Sequence, residues 1–149
     1  VLRGDAFVPE RESVPDQTWS SAAFLSSAVD GLLGIHLNAE QRQLQFAPRM
    51  PPEWNSLRVR RINLGGAHVG LAMKTSPDLV ELEVDNSGPA LTLQFRPGLA
   101  KGTRVDRVEV SDGSRPHAGA GGADGFEIGM LCPARRTTRI TLHLVPAIR

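Results

Sequence analysis

Val80-Glu81-Leu82-Glu83-Val84-Asp85-Asn86-Ser87-Gly88-Pro89-Ala90-Leu91-Thr92-Leu93-Gln94-Phe95-Arg96 decides how this chain is read. Val80, Leu82 and Val84 alternate with three carboxylates; Leu91, Leu93 and Phe95 alternate with Thr92, Gln94 and Arg96. Successive side chains of a strand point to opposite faces, so each run reads as a strand with one dry and one wet face. Between them, Asn86-Ser87-Gly88-Pro89 gathers residues that favour a turn.

The same period extends outward. Residues 35–38 and 44–46 read as a short hairpin across 39–42. Pro48, Pro51 and Pro52 break the chain ahead of Trp54. Residues 57–60 alternate, and the phase then slips at Arg61-Ile62, so that Ile62 and Leu64 continue on the other parity; this predicts a β-bulge. Gly65-Gly66 is a turn signal. Val69, Leu71 and Met73, then Val105, Val108 and Val110, then 126–131, then Ile140, Leu142 and Leu144 supply further strands. The Gly-rich stretch 111–125 reads as a long mobile loop. Many short strands punctuated by turns predict a mainly β chain, an antiparallel β-sandwich over 35–149.

Ahead of Ile35 the period is helical. Trp19, Ala22, Ala23, Ser26, Val29, Leu32 and Leu33 recur at helical spacing, and Phe24, Leu25 and Ala28 widen the stripe. Asp16 is the expected N-cap, with Pro15 before it, and Gly34 the expected stop. A stripe this broad predicts contacts on more than one side, as in a layered helical bundle. Residues 1–15 are irregular. One helix ahead of a β-domain predicts two units: 1–34, the end of a helical domain, and 35–149. The chain thus reads as the C-terminal end of a larger protein, and self-association of the chain alone is expected.

Composition narrows the function classes. Seventeen Lys and Arg stand against sixteen Asp and Glu among 149 residues, which leaves no basic excess for a nucleic-acid partner. The clusters Arg58/Arg60/Arg61 and Arg135/Arg136 read as solvated strand faces. Cys132 is the single cysteine, so no intrachain disulfide forms; this fits a reducing compartment and favours the cytoplasm without excluding export. His36, His68, His117 and His143 lack metal-ligand spacing, so no metal is expected. Residues 119–125 lack the Lys-Ser/Thr ending of a phosphate loop, and no cofactor is expected. Ser20, Ser21, Ser26 and Ser27 have no His and Asp placed for a triad. No apolar run is long enough to span a membrane.

One segment points further. Val14-Pro15-Asp16-Gln17-Thr18-Trp19-Ser20-Ser21-Ala22 resembles the end of the catalytic domain in α/α-toroid glycoside hydrolases, above all the glycogen-debranching, amylo-α-1,6-glucosidase-like group with its Pro-x-Gln-x-Trp-Ser pattern. Gly31-Leu32-Leu33-Gly34-Ile35, Phe46-Ala47-Pro48 and Pro51-Pro52-Glu53-Trp54 are similar to the exit from the last toroid helix into the C-terminal β-domain. The Leu64-Gly65-Gly66 turn and the strand from Gly88 fit the same pattern, and the resemblance runs to about Val105. It implies that the helix before the sandwich is the last of a toroid. It also implies inverting hydrolysis of α-glucosidic linkages by two carboxyl groups. The general acid would lie far upstream, and the base would be a Glu just ahead of Val1. Glu10 is the candidate within the chain if the loop aligns differently; otherwise it is a solvated loop charge. Gln17 and Trp19 match the motif residue by residue, which implies a hydroxyl contact for the amide. Trp19 would stack on a sugar or pack between helices. Trp54 would anchor the β-domain against the toroid. The implied function is a C-terminal fragment, inactive alone, whose sandwich braces the catalytic toroid and which meets carbohydrate through the whole protein. The alternative is a non-catalytic β-sandwich module that binds carbohydrate or a protein.

Overall fold

The computed structural model describes residues 18–120 and 125–146, with the side chains of 18–21 and of Ala120 outside the description. A helix, α1 (Thr18–Ser27), runs into a π-helical segment (Ala28–Leu33). The strands follow as β1 (Ile35–Asn38), β2 (Gln43–Phe46), β3 (Ser56–Leu64), β4 (Ala67–Thr75), β5 (Leu79–Asn86), β6 (Leu91–Phe95), β7 (Arg104–Val110), β8 (His117–Ala120), β9 (Phe126–Cys132) and β10 (Arg136–Val145). They form two five-stranded sheets, ordered β1-β2-β6-β9-β8 and β3-β4-β5-β10-β7. The predicted β-sandwich is thus the observed architecture. One pair departs from antiparallel: β2 and β6 run parallel, with Phe46 opposite Phe95. Because side-chain alternation is the same in both orientations, it carries no signal for this pairing.

The dry faces meet as the alternation predicts. Leu44, Phe46, Leu93, Phe95 and Ile128 of the first sheet, and Val69, Leu71, Leu82, Val84, Ile140 and Leu142 of the second, are all fully buried or nearly so. Phe46 and Phe95 stack with centroids 5.7 Å apart and planes 12° apart. Each such side chain contributes ~1.5–3 kcal/mol through burial. The slip at Arg61 is a bulge: β3 loses register with β4 between Val59 and Ile62, and Arg61 takes a φ of 58°. Gly65 and Gly66, with φ of 56° and 82°, close the β3–β4 hairpin through the left-handed conformations that match strand twist.

Asn86 pins the corner where the chain leaves β5 for the other sheet. Its side chain is 1% exposed. Its Nδ2 donates to the carbonyls of Pro89 (2.8 Å) and Pro133 (3.1 Å), and its Oδ1 accepts the Gly88 N–H (3.0 Å). Asn86→Ala unmakes three hydrogen bonds, the one to the Gly88 N–H buried and the two to proline carbonyls half-buried, at ~1–3 kcal/mol for a group left stranded. A loss of ~3 kcal/mol in urea unfolding is expected; a loss below ~1 kcal/mol would mean that water replaces the amide.

Two expectations are corrected. The stretch 111–125 is not one long loop, since β8 lies within it and pairs with β9 from His117↔Gly129 to Ala120↔Phe126; residues 121–124 lie outside the described ones. After His117, β8 is built of small residues, so it lacks the apolar alternation that marks a strand, and it pairs with β9 along its length. The helix is not α-helical to its end: Gly34 donates its N–H to Val29 O, five residues back, and the widened turn leaves Leu33 packed against the core. The apolar stripe meets the sandwich only at its end, through Leu33, and leaves every side chain from Ala22 to Ser27 exposed, as expected of a face made for other helices.

Candidate functional site

The helix-to-sandwich junction is fixed by two backbone hydrogen bonds and a close approach at a glycine. The Arg49 N–H donates to Leu32 O at 2.8 Å and the Ala47 N–H to Gly34 O at 2.9 Å, so the strand leaving β2 satisfies carbonyls that a helix end would leave open. Gly34 has a φ of 57°, and a Cβ there would stand 2.2 Å from Ala47 O. Only glycine permits that approach. The direction in which the helix leaves the sandwich is therefore fixed by backbone.

Beyond the clamp, Pro48, Pro51 and Pro52 hold the connector without offering N–H groups, and the Trp54 N–H closes a turn onto Pro51 O at 3.0 Å. Trp54 is 47% exposed. It stands at a cleft of about 190 Å³ at one end of the sandwich, with Met50, Pro52, Thr75, Ser76 and Leu99 among the walls. The clamp residues Ala47 and Arg49 alternate along the chain with Pro48 and Met50 of the cleft wall. On α1 and its continuation, Phe24 is 73%, Leu25 62% and Val29 38% exposed. That is a large apolar surface for a helix to leave in water.

The sequence-derived sites divide accordingly. Glu10, Asp16 and Gln17 lie outside the described residues. Trp19 lies in α1, and its side chain is outside the description. Trp54 is half exposed at the cleft.

Among the described residues, no three His, Cys, Asp or Glu side chains are grouped to hold a metal ion, and no helix is long and apolar enough to cross a membrane. Asp112 is held below the usual carboxylate range by the Ser114 hydroxyl and the Ser114 backbone N–H, on a fully exposed turn. Burial pushes the Cys132 thiol up to about 12, with Asp112 adding to the shift. The thiolate is the reactive form, so Cys132 is inert in the folded chain. Ellman's reagent at pH 8 is expected to find no thiol until denaturant is added; rapid labelling of native protein would show that β9 opens.

Comparison with known proteins adds two likenesses. Residues 37–96, from within β1 to just past β6, match the family described as "Glycosyl hydrolase family 65, C-terminal domain". The fold is similar to part of an α-L-rhamnosidase from Dictyoglumus thermophilum, with a TM-score of 0.50 and 12% identity over 75% of this chain. The chain spans 12% of that structure's length. No curated protein matches the chain. Both likenesses are to glycoside hydrolases, and the sequence match is to a C-terminal domain.

Proposed function

We propose that this chain is the C-terminal β-domain of a glycoside hydrolase, carries the last helix of its catalytic toroid, and braces that toroid. The observation that carries the reading is the helix: its end is locked to the sandwich through Gly34, Leu32 and residues 47–49, while Phe24, Leu25 and Val29 face away uncovered. A helix serving the sandwich alone would lay those side chains on the sheet. The missing occupant is the helical unit of the longer protein, and the match to a glycoside hydrolase C-terminal domain supports that choice.

The substrate belongs to the same proposal. α-Glucosidic linkages, of the amylo-α-1,6-glucosidase kind, rest on the segment from Pro15 to Ser20. In the assembled enzyme Gln17 would hydrogen-bond a sugar hydroxyl and Trp19 would wall the pocket. The general base would stand just ahead of Val1, or be Glu10 if the loop aligns differently, and the general acid would come from an earlier helix. Inverting hydrolysis needs both carboxyl groups, so the chain alone does not hydrolyse glycosides.

The test is the reading frame on the 5′ side of Val1. A long run of codons for helical hairpins, ending in a Glu just before Val1, supports the proposal. A start codon or signal peptide directly upstream overturns it.

A further inference from the structure

We propose that the outer face of the second sheet carries a binding groove for an anionic saccharide, a sugar bearing carboxylate or phosphate groups. The anionic half of the assignment stands on the groove itself; the saccharide half rests on the glycoside hydrolase reading.

The groove comes from a row of small residues between rows of long ones. On the outer face β4 contributes Gly70 and Ala72, β3 contributes Arg58, and β5 contributes Glu83 and Asp85; the register runs Arg58↔Ala72↔Glu83, with Gly70 opposite Asp85. The middle strand is therefore the floor and its neighbours are the walls. The hollow measures about 360 Å³, within the range of small-molecule sites. A second hollow of about 310 Å³ shares Arg58, Ala72 and Glu83 with it, so the trough continues along β4.

One wall is cationic and open. The bulge interrupts the alternation so that Arg60 and Arg61 are both exposed beside Arg58, and all three line the hollow with His68. A left-handed φ at a residue as large as arginine is uncommon, and bulges re-aim side chains. Here the bulge adds a third guanidinium to the face. Among the described residues, none of Arg58, Arg60 and Arg61 has a carboxylate within ion-pairing distance, whereas Arg139 on the far side pairs with Glu83 at 2.8 Å. Guanidinium forks bind carboxylate and phosphate bidentately. A cluster expected to be a solvated strand face is thus a set of unpaired donors over a concave floor.

The opposite wall selects the rest of the ligand. Glu83 is held by Arg139, and Asp85 accepts the Thr137 hydroxyl at 3.2 Å. Both are acceptors for hydroxyl donors, and both repel a bare polyanion lying across the trough. A neutral oligosaccharide would leave the arginines unused. Negative charge on one side and hydroxyls on the other is the chemistry of an acidic or phosphorylated sugar.

The test titrates the isotope-labelled full chain with trigalacturonate, glucose 6-phosphate, maltotriose and inorganic phosphate, following backbone amides by NMR. One or both acidic sugars are expected to shift amides at 58–61 and 68–72 to saturation, which of them distinguishing carboxylate from phosphate recognition. Affinity should fall with added salt, and about tenfold or more in R58Q/R60Q/R61N. Asparagine tolerates the left-handed backbone at position 61, so the triple variant keeps the bulge, and an unchanged melting temperature verifies it. Asp85→Asn removes a repelling charge but weakens a hydroxyl acceptor, so it should tighten inorganic phosphate more than it tightens the acidic sugar. The assignment falls if maltotriose binds as well, if phosphate alone matches the sugars, if the triple variant binds like the parent, or if nothing shifts. None of those results bears on the reading frame before Val1, so the two proposals fail separately.

Discussion

Gly34→Ala is expected to lower the melting temperature of the chain by ~10 °C. The left-handed backbone at φ 57° costs a residue with a Cβ ~1–2 kcal/mol by itself. The larger cost is steric: the new Cβ would stand 2.2 Å from Ala47 O and 2.7 Å from Ala47 C, and backbone cannot turn aside as a side chain does. Relief requires breaking the Ala47–Gly34 hydrogen bond, and Arg49–Leu32 with it. A total of ~4 kcal/mol places the substitution in the severe tail of single changes. At ~2–4 °C per kcal/mol for a chain of this size, the shift is ~10 °C. Gly66→Ala is the control: its φ of 82° is as unfavourable, but nothing lies within 4 Å of the added carbon. It should cost only the backbone term, ~1 kcal/mol or a little more and a few degrees. Equal shifts for the two variants would show that the clamp carries no stability of its own.

The second large effect concerns solution state. The chain alone is expected to self-associate through Phe24, Leu25 and Val29, with a mass by light scattering that rises with concentration. Phe24→Lys with Leu25→Gln should return it to a monomer, since both replacements are good helix formers and remove the apolar patch. In the hydrolase proposed above, the same pair should loosen the sandwich from the helical unit. Two such side chains contribute ~3–6 kcal/mol when buried, enough to lower the inactivation temperature and the activity together. A parent chain that stays monomeric at high concentration would remove the argument for a missing partner.

The strands were legible where one face is dry and the other wet. Val80–Val84 and Leu91–Phe95 show this, and so does the bulge, because two consecutive arginines before Ile62 cannot both obey a period of two. The pairing of β2 with β6 was not legible: it is a choice between strands far apart in the chain, and local pattern is silent on it. β8 was hidden by its small residues, and the π-helical turn by the absence of any residue type that demands one. At the junction, Gly34 was readable as a helix stop but not as a contact point, since the contact depends on where Ala47 returns. Arg58, Arg60 and Arg61 were visible as a cluster. Their meaning changes only when the register places Gly70 and Ala72 beside them and the carboxylates beyond.

The position of β10 between β5 and β7 sets the order of events during synthesis. Until residues 136–145 exist, β7 has no partner and β5 is paired on one side only, so the second sheet waits as a β3-β4-β5 meander and a lone strand. Contacts between strands so distant in sequence make folding slow, and half-built sheets expose unpaired edges meanwhile. A chain released from the ribosome a few residues short of β10 would hold nearly all of its apolar residues and still be unable to close. Such a product should be recovered with chaperones or in inclusion bodies, and nonsense changes in this last strand should be as damaging as those near the start of the domain.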